Sequence, residues 1–311
     1  MIHKSVLLHE SIDGLNIKAG DIFVDGTLGH GGHTEEVCKR FGNTVTMIGV
    51  DLDLDAIERS RERLSKYDCS VKYSQGSFRN IDKILDTLNI KKVDKILLDI
   101  GLSSNQFEES GRGFSFQKDE PLIMSFKKIS TDIEAEEVSD LTAEEIVNNW
   151  DEENIRTILE GYGEEKFAYK IAKMIVAKRI EKPIKTTFDL VEIIKLATPS
   201  FYHHRRIHPA TKTFQALRIT VNDEIESLKE GISKGFERLN PEGRMAIISF
   251  HSLEDRVVKQ YFKDKIDKGD GLVVTKKPII PSEEEMEENP RSRSAKLRII
   301  QKVDTIIQGN N

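Results

Sequence analysis

Cysteine is scarce in this chain. Cys38 and Cys69 are the only two among 311 residues, and they have no metal-ligand spacing. That excludes a zinc-ribbon or disulfide-framework reading and leaves two reduced thiols in a cytosol as the expectation. Long apolar runs are missing too. None reaches the ~18–20 residues of a membrane span, and Met1-Ile2-His3-Lys4 lacks a signal-peptide core. A cytoplasmic protein with no membrane partner is expected. There is no Gly-x-Ser-x-Gly elbow, so Ser249 and His251 do not make a hydrolase. His203, His204 and His208 have no carboxylate or cysteine beside them, and no metal site is expected there. Asp51, Asp53, Asp55 and Glu62 imitate a calcium loop, but Ala56 stands where the sharp turn needs glycine.

A surplus of positive charge is also lacking. The net charge of −6 argues against a protein that is basic throughout, as a general nucleic-acid coat would be. The charge is uneven, however. Ile193 to Asn222 contains Lys195, Arg205, Arg206, Lys212 and Arg218 and no acid. Asn289 to Val303 contains Arg291, Arg293, Lys296, Arg298 and Lys302, again with no acid. Two acid-free basic stretches in an acidic chain read as local patches for a polyanion.

The stretch that organises the rest is Asp25-Gly26-Thr27-Leu28-Gly29-His30-Gly31-Gly32-His33-Thr34. It follows the apolar run Ile22-Phe23-Val24 and precedes a helical pattern, the strand–turn–helix of an open α/β nucleotide site. Glycine lets the backbone turn sharply and lets a ligand approach without meeting Cβ atoms. From Gly29 the chain reads Gly-His-Gly-Gly-His-Thr, with Thr34 in the sixth place, so the strict dinucleotide fingerprint fails. Asp51 ends a second apolar run, Thr46 to Val50, where an acid accepts from ribose hydroxyls. Asp25, Asp53 and Asp55 repel phosphate and favour an ammonium group. Adenosine carrying a cationic amino-acid tail satisfies these demands, and S-adenosylmethionine is such a molecule.

Beyond the loop, Val71-Lys72-Tyr73 leads to Phe78, either a cover for the adenine face or a core residue. The strand Lys95 to Asp99 runs into the polar loop Gly101 to Gln106. From Phe107 to His208 the strand–helix alternation stops and only helical signals remain. One long helix is expected over Thr211 to Leu239. After it come a strand ending at Phe250, a helix capped by Ser252, and an alternating last strand with Ala295, Leu297 and Ile299 on one face.

Several longer segments resemble a known family. They are His3 to Leu8, Asp25 to Thr34, Leu97 to Ser104, Arg112 to Phe116, Tyr162 to Ala168, His208 to Arg218, Ser249 to Arg256 and Glu288 to Ser294. Over nearly its whole length the chain is similar to the bacterial small-subunit ribosomal RNA cytosine-N4-methyltransferases, the RsmH or MraW family. The resemblance implies a class I, Rossmann-like α/β fold dependent on S-adenosylmethionine, with an inserted all-helical domain. Residues 1–106 and 209–311 would form the methyltransferase domain, and residues 107–208 the substrate-recognition insert.

The implied substrate is a cytidine in the decoding region of 16S RNA in the small ribosomal subunit. Cofactor contacts carry over onto Gly31, Gly32, His33, Asp51, Phe78, Asp99 and Gln106. Ser103, Ser104 and Asp99 are the catalytic candidates; Arg205, Arg206, Lys212, Arg218, Arg291 and Arg293 are the RNA-binding ones. The family pattern Ser-Ser-Pro-Gln reads Ser103-Ser104-Asn105-Gln106 here, and Pro-Leu-Asp-Met-Arg-Met reads Pro121-Leu122-Ile123-Met124-Ser125-Phe126. A DNA or other RNA amino-methyltransferase and a non-catalytic ribosome-binding relative are the alternatives.

Overall fold

A computed structural model of the chain describes residues 4–101, 110–126 and 141–304. Runs rich in isoleucine, valine and leucine form the central strands, since β-branched and apolar side chains suit a surface buried on both faces. These are β1 (Ile22–Asp25), β2 (Thr46–Asp51), β4 (Val93–Asp99) and β5 (Leu239–Ser249). The more polar β3 (Ser70–Gln75) lies at one edge; β6 (Gly271–Val273) and β7 (Lys296–Lys302) complete the other. The sheet order is β3-β2-β1-β4-β5-β7-β6. Strands β1 to β5 pair in parallel, and β7 runs antiparallel to β5 and β6. This is the doubly wound α/β sheet expected from the sequence.

The order reverses between β1 and β4, and that reversal positions the site. Asp25 pairs in register with Gly49 of β2 on one side and Leu97 of β4 on the other. The carboxyl ends of β1, β2 and β4 therefore adjoin at one rim, the crevice where such sheets hold ligands. Helices α1 (Leu8–Leu15), α2 (Gly32–Phe41), α3 (Leu54–Leu64) and α4 (Ile81–Thr87) follow in chain order. The sheet separates two apolar clusters, one around Val24, Ile96 and Phe236, the other around Phe23, Leu97 and Leu297. Ala295, Leu297 and Ile299 all join the second cluster, as their alternation implies.

The chain divides into two compact units, Met1–Gly101 with Ile225–Asn311, and Leu102–Glu224. The second unit is wider than the expected insert of 107–208, because the helix after His208 belongs with it. Its described residues form α5 (Ala143–Asn149), α6 (Glu152–Gly161), α7 (Ala168–Glu181), α8 (Thr187–Ala197), α9 (Ser200–His203) and α10 (Thr211–Asn222). Their own core includes Ile146, Ile155, Ile171, Leu190 and Phe214, with Trp150 packed against it. Thr186 starts α8 with a full capping box to Asp189.

Three local expectations need correction. The long helix over 211–239 is two helices, α10 and α11 (Glu224–Arg238), broken at Asp223 with φ 48°. Helix α12 (Ser252–Asp267) is capped by His251, not Ser252; its ring nitrogen accepts from the Glu254 amide and Glu254 answers with a bond to the His251 amide. Cys38 and Cys69 are joined as a disulfide with Cα atoms 5.6 Å apart, not held as two free thiols. Among the described residues no helix is long and apolar enough to cross a membrane.

Candidate functional site

The glycine turn is built by its neighbours. Gly31 has φ 73°, and a Cβ there would lie 2.4 Å from Ser60 Oγ. A Cβ on Gly32 would meet Ser5 Oγ. A side chain at either position would displace the serine packed against it from α3 or the N-terminal segment, and at Gly31 the positive φ adds strain, a constraint separate from the ligand approach expected from the sequence. Gly29, with φ 50°, is fixed from another side: its amide donates to Asp51 Oδ2 at 2.8 Å. Asp51 Oδ1 accepts from the Asp53 amide at 2.9 Å. The carboxylate at the end of β2 thus ties the first turn to the second and keeps lone pairs for a ribose.

Asp25 and Asp99 end the two strands at the reversal. Asp25 is buried; its Oδ2 accepts from Thr34 Oγ1 at 2.8 Å and its Oδ1 from the Thr27 amide at 3.3 Å. Thr27 Oγ1 accepts from the Asp99 amide at 2.6 Å, which joins the first and fourth strand tips. Asp99 Oδ1 accepts from the Gly101 amide at 3.2 Å and so anchors the start of the polar loop. His33 is buried, and its Nε2 lies 3.1 Å from the Val6 carbonyl.

Burial governs the charge of these groups. It pushes Asp99 up to about 7, the Gly101 amide opposing it and the Glu254 charge adding to it. Asp51 is also raised by burial, against the amides of Asp53 and Gly29. Asp25 is raised by burial, while burial lowers His33 and keeps its ring neutral. Among the described residues none of the three carboxylates has a lysine or arginine partner. A carboxylate unpaired in a low-dielectric crevice is costly, and a cationic ligand relieves that cost. Sulfonium, ammonium and ribose hydroxyls fit this donor set, and a pyrophosphate does not. S-adenosylmethionine carries all three.

Other expected contacts fall elsewhere. Phe78 is half-buried, and a Cβ on Gly231 of α11 would lie 2.4 Å from its ring. Its ring is thus wedged against α11, which favours the core role over the open adenine cover. Ser103, Ser104 and Gln106 lie outside the described residues. One element was missed from sequence: buried Glu35 of α2 accepts from Arg63 Nε and Nη2 at 3.0 and 2.6 Å and from Tyr67 Oη at 2.8 Å. Arg63 also donates to the His30 carbonyl at 3.4 Å, so this pair braces the outer side of the glycine turn. The only sequence signal was an acid in the helix's first turn, which the helix dipole already explains.

The basic candidates divide sharply. Arg205 and Arg206 are exposed. Lys212 donates to the Glu164 carbonyl at 2.6 Å. Arg218 makes a two-bond pair with Glu224, both at 2.8 Å, so its charge is already committed within the second unit. Arg293 is exposed on a 3₁₀ turn with Arg291, beside a cavity of about 290 Å³ lined by Phe250, His251, Met286 and Lys296. Lys296 and Arg298 both bond Asp255. Ile193 to Asn222 lies in the second unit and Asn289 to Val303 in the first.

The segment Pro121 to Phe126 is tied into the second unit by burial and hydrogen bonds. Leu122, Met124 and Ser125 are buried. Arg112 Nη1 donates to the carbonyls of Ser125 and Phe126 at 2.9 and 3.0 Å, and Asn222 bonds both Phe126 and Met124. Met124 takes φ 55°, an uncommon conformation that these bonds hold in place.

Residues 1–303 match the MraW methylase family. A protein of Clostridium botulinum (strain Kyoto / Type A2) named ribosomal RNA small subunit methyltransferase H is 47% identical over 317 residues, covering 97% of this chain and 99% of its own. Proteins of the same name from Lachnospira eligens and Halothermothrix orenii are 44% and 45% identical, each covering 97% of this chain and 98% of their own. The sheet order, the glycine turn with its carboxylates and the match across nearly the whole length agree: the chain belongs to the MraW methylase family and is an S-adenosylmethionine-dependent methyltransferase.

Proposed function

We propose that this protein methylates the N4 amine of a cytidine in the 16S RNA of the small ribosomal subunit, in the cytoplasm. The observation that carries the reading is the set of unpaired carboxylates, Asp25, Asp51 and Asp99, around one glycine turn. The names of the relatives supply the class of RNA. The acid-free patches of an otherwise acidic chain supply the attraction to it.

When bound, S-adenosylmethionine supplies an electrophilic methyl group on sulfur. The chain's part is positioning and electrostatics, which can contribute up to about 7–11 kcal/mol in well-oriented reactions. Asp51 would hold the ribose, with Gly31, Gly32 and His33 forming the floor of the turn. Asp99 would face the cationic end and hold the loop through Gly101. The exocyclic amine of cytosine is a poor nucleophile because its lone pair is delocalised into the ring. Acceptors on its two hydrogens turn that lone pair out of conjugation, and Ser103, Ser104 and the loop carbonyls are assigned that task. The target base must leave its stack to reach them. Residues 102–224, with Arg205 and Arg206, would hold the flanking strand.

A labelled-methyl assay with small subunits, their naked RNA and DNA of the same sequence tests the substrate. Label is expected in the ribosomal RNA and not in the DNA. Ser104→Ala should lower turnover more than donor affinity, since its contact matters chiefly in the transition state. Equal transfer to DNA would refute the assigned substrate.

A further inference from the structure

The second unit displays an aromatic ring in an unusual setting. Phe201 is 59% exposed, on the short helix α9. A single exposed aromatic is ordinary, but this one is backed by two further rings in edge-to-face contact. Phe201 meets Phe167 at 6.3 Å and 62°, and Phe167 meets Tyr202 at 4.9 Å and 75°. Tyr202 is buried, and its hydroxyl donates to the buried Glu165 carboxylate at 2.8 and 3.0 Å. Glu165 also accepts from the Phe167 amide at 2.9 Å. One buried carboxylate thus fixes both residues that support the exposed ring.

Apart from the buried Glu165, the charges that the structure places against these rings are positive. Arg205 lies 5.7 Å from the Phe201 ring centre and 5.1 Å from that of Tyr202. Lys170 lies 5.9 Å from Phe167. Arg206 and His204, next to Arg205 in sequence, are exposed, and the sequence from Ile193 to Asn222 has no acid. Among the described residues neither Arg205 nor Arg206 has a carboxylate partner. An exposed, supported ring flanked by guanidinium groups without carboxylate partners is the combination that binds single strands: bases stack on the ring, and cations follow the phosphates.

We propose that Phe201 is a stacking platform for one unpaired base of the RNA strand flanking the modified nucleotide, with Arg205 and Arg206 against the adjoining phosphates. The proposal rests on the RNA substrate reading. Charge complementarity selects this occupant over a second copy of the chain, because two such patches would repel. A duplex does not satisfy it, since its bases are already stacked.

The test is binding of the full-length protein to a single-stranded oligoribonucleotide carrying 2-aminopurine, titrated at several salt concentrations. Phe201→Ala is expected to weaken binding about tenfold, within the range of one lost base stack, and to leave the salt slope unchanged. Phe201→Trp should retain affinity and quench the 2-aminopurine at least as strongly. Arg205→Ala should flatten the salt slope by about one phosphate. Donor binding measured by calorimetry, and the helical circular dichroism and its thermal unfolding, should be unaltered in all three, which establishes that both units fold. Wild-type affinity in Phe201→Ala would overturn the platform. Self-association of the wild type that Phe201→Ala abolishes, with RNA affinity intact, would assign the ring to a dimer contact and overturn the platform as well. A wild-type protein that binds no RNA at any salt would defeat the substrate reading itself.

Discussion

Replacing Asp99 with asparagine should make the protein without its cofactor more stable at pH 8 than the wild type, and much less so at pH 5. Burial raises the Asp99 carboxyl from 3.8 to about 7. A raised acid binds its proton more tightly in the folded state, so stability falls as pH rises from the unfolded value, about 4, to the folded value, about 7. At about 1.36 kcal/mol per pKa unit, the loss between pH 5 and pH 8 is roughly 2.5 kcal/mol at most. Asp99 keeps some exposure, and screening should reduce the effect to about 1 kcal/mol. Asparagine is close in size and does not ionise, so the difference between variant and wild type should open across that window and be flat above it. Urea unfolding of both proteins at pH 5, 6, 7 and 8, without cofactor, measures it. The same variant should bind S-adenosylmethionine more weakly, because the carboxylate that costs stability is the one that meets the cationic ligand. A pH-independent difference would refute the burial argument. Unchanged donor affinity would remove Asp99 from the cofactor site.

Asp51→Ala should weaken donor binding by about 1.5–3 kcal/mol in calorimetry, the range for a charge-assisted hydrogen bond. Part of that loss belongs to the Gly29 tether, so Asp51→Asn, which can keep the tether, should lose less. Glu35→Gln should destabilise the protein by up to about 3 kcal/mol at pH 7, since Arg63 and Tyr67 draw its acid from 4.5 down to about 2 against the cost of burial. Its contribution is fully present above pH 4.5 and is lost as pH falls through about 2, so denaturant titrations of the two proteins should converge in strong acid. Arg206→Ala should reduce the salt dependence of RNA binding with little effect on stability, whereas Arg218→Ala should cost about 2 kcal/mol of stability, because it removes the two-bond pair to the largely buried Glu224.

Much of the site was legible in the sequence because it rests on local chemistry. An apolar run ending in Asp25, a glycine turn, and a second run ending in Asp51 define a strand–turn–helix–strand without tertiary information. The last strand was legible from the alternation of Ala295, Leu297 and Ile299, but its antiparallel direction was not. What escaped depends on distant partners. Nothing in the helical period of 211–239 marks Asp223 as a break, because the bonds at its end run from Asn222 to Met124 and Phe126, about a hundred positions away. Arg218 looked like a free cation until Glu224 was placed beside it. Gly31 and Gly32 were assigned to ligand approach, and the packing of Ser60 and Ser5 against them is a second constraint that the sequence does not announce. The pairing of Cys38 with Cys69 joins the end of α2 to the approach of β3, a proximity that two isolated cysteines in sequence do not announce.

Nucleoside analysis of small-subunit RNA bears most directly on the reaction. RNA treated with the purified protein and S-adenosylmethionine is digested to nucleosides, separated by chromatography and weighed by mass spectrometry. The expected product is N4-methylcytidine, absent when Asp51→Ala protein replaces the wild type at limiting donor. Carbon-5 methylcytidine has the same mass but elutes separately. Its appearance, or that of a methylated adenosine, would contradict the assignment of the cytosine amine as the methyl acceptor.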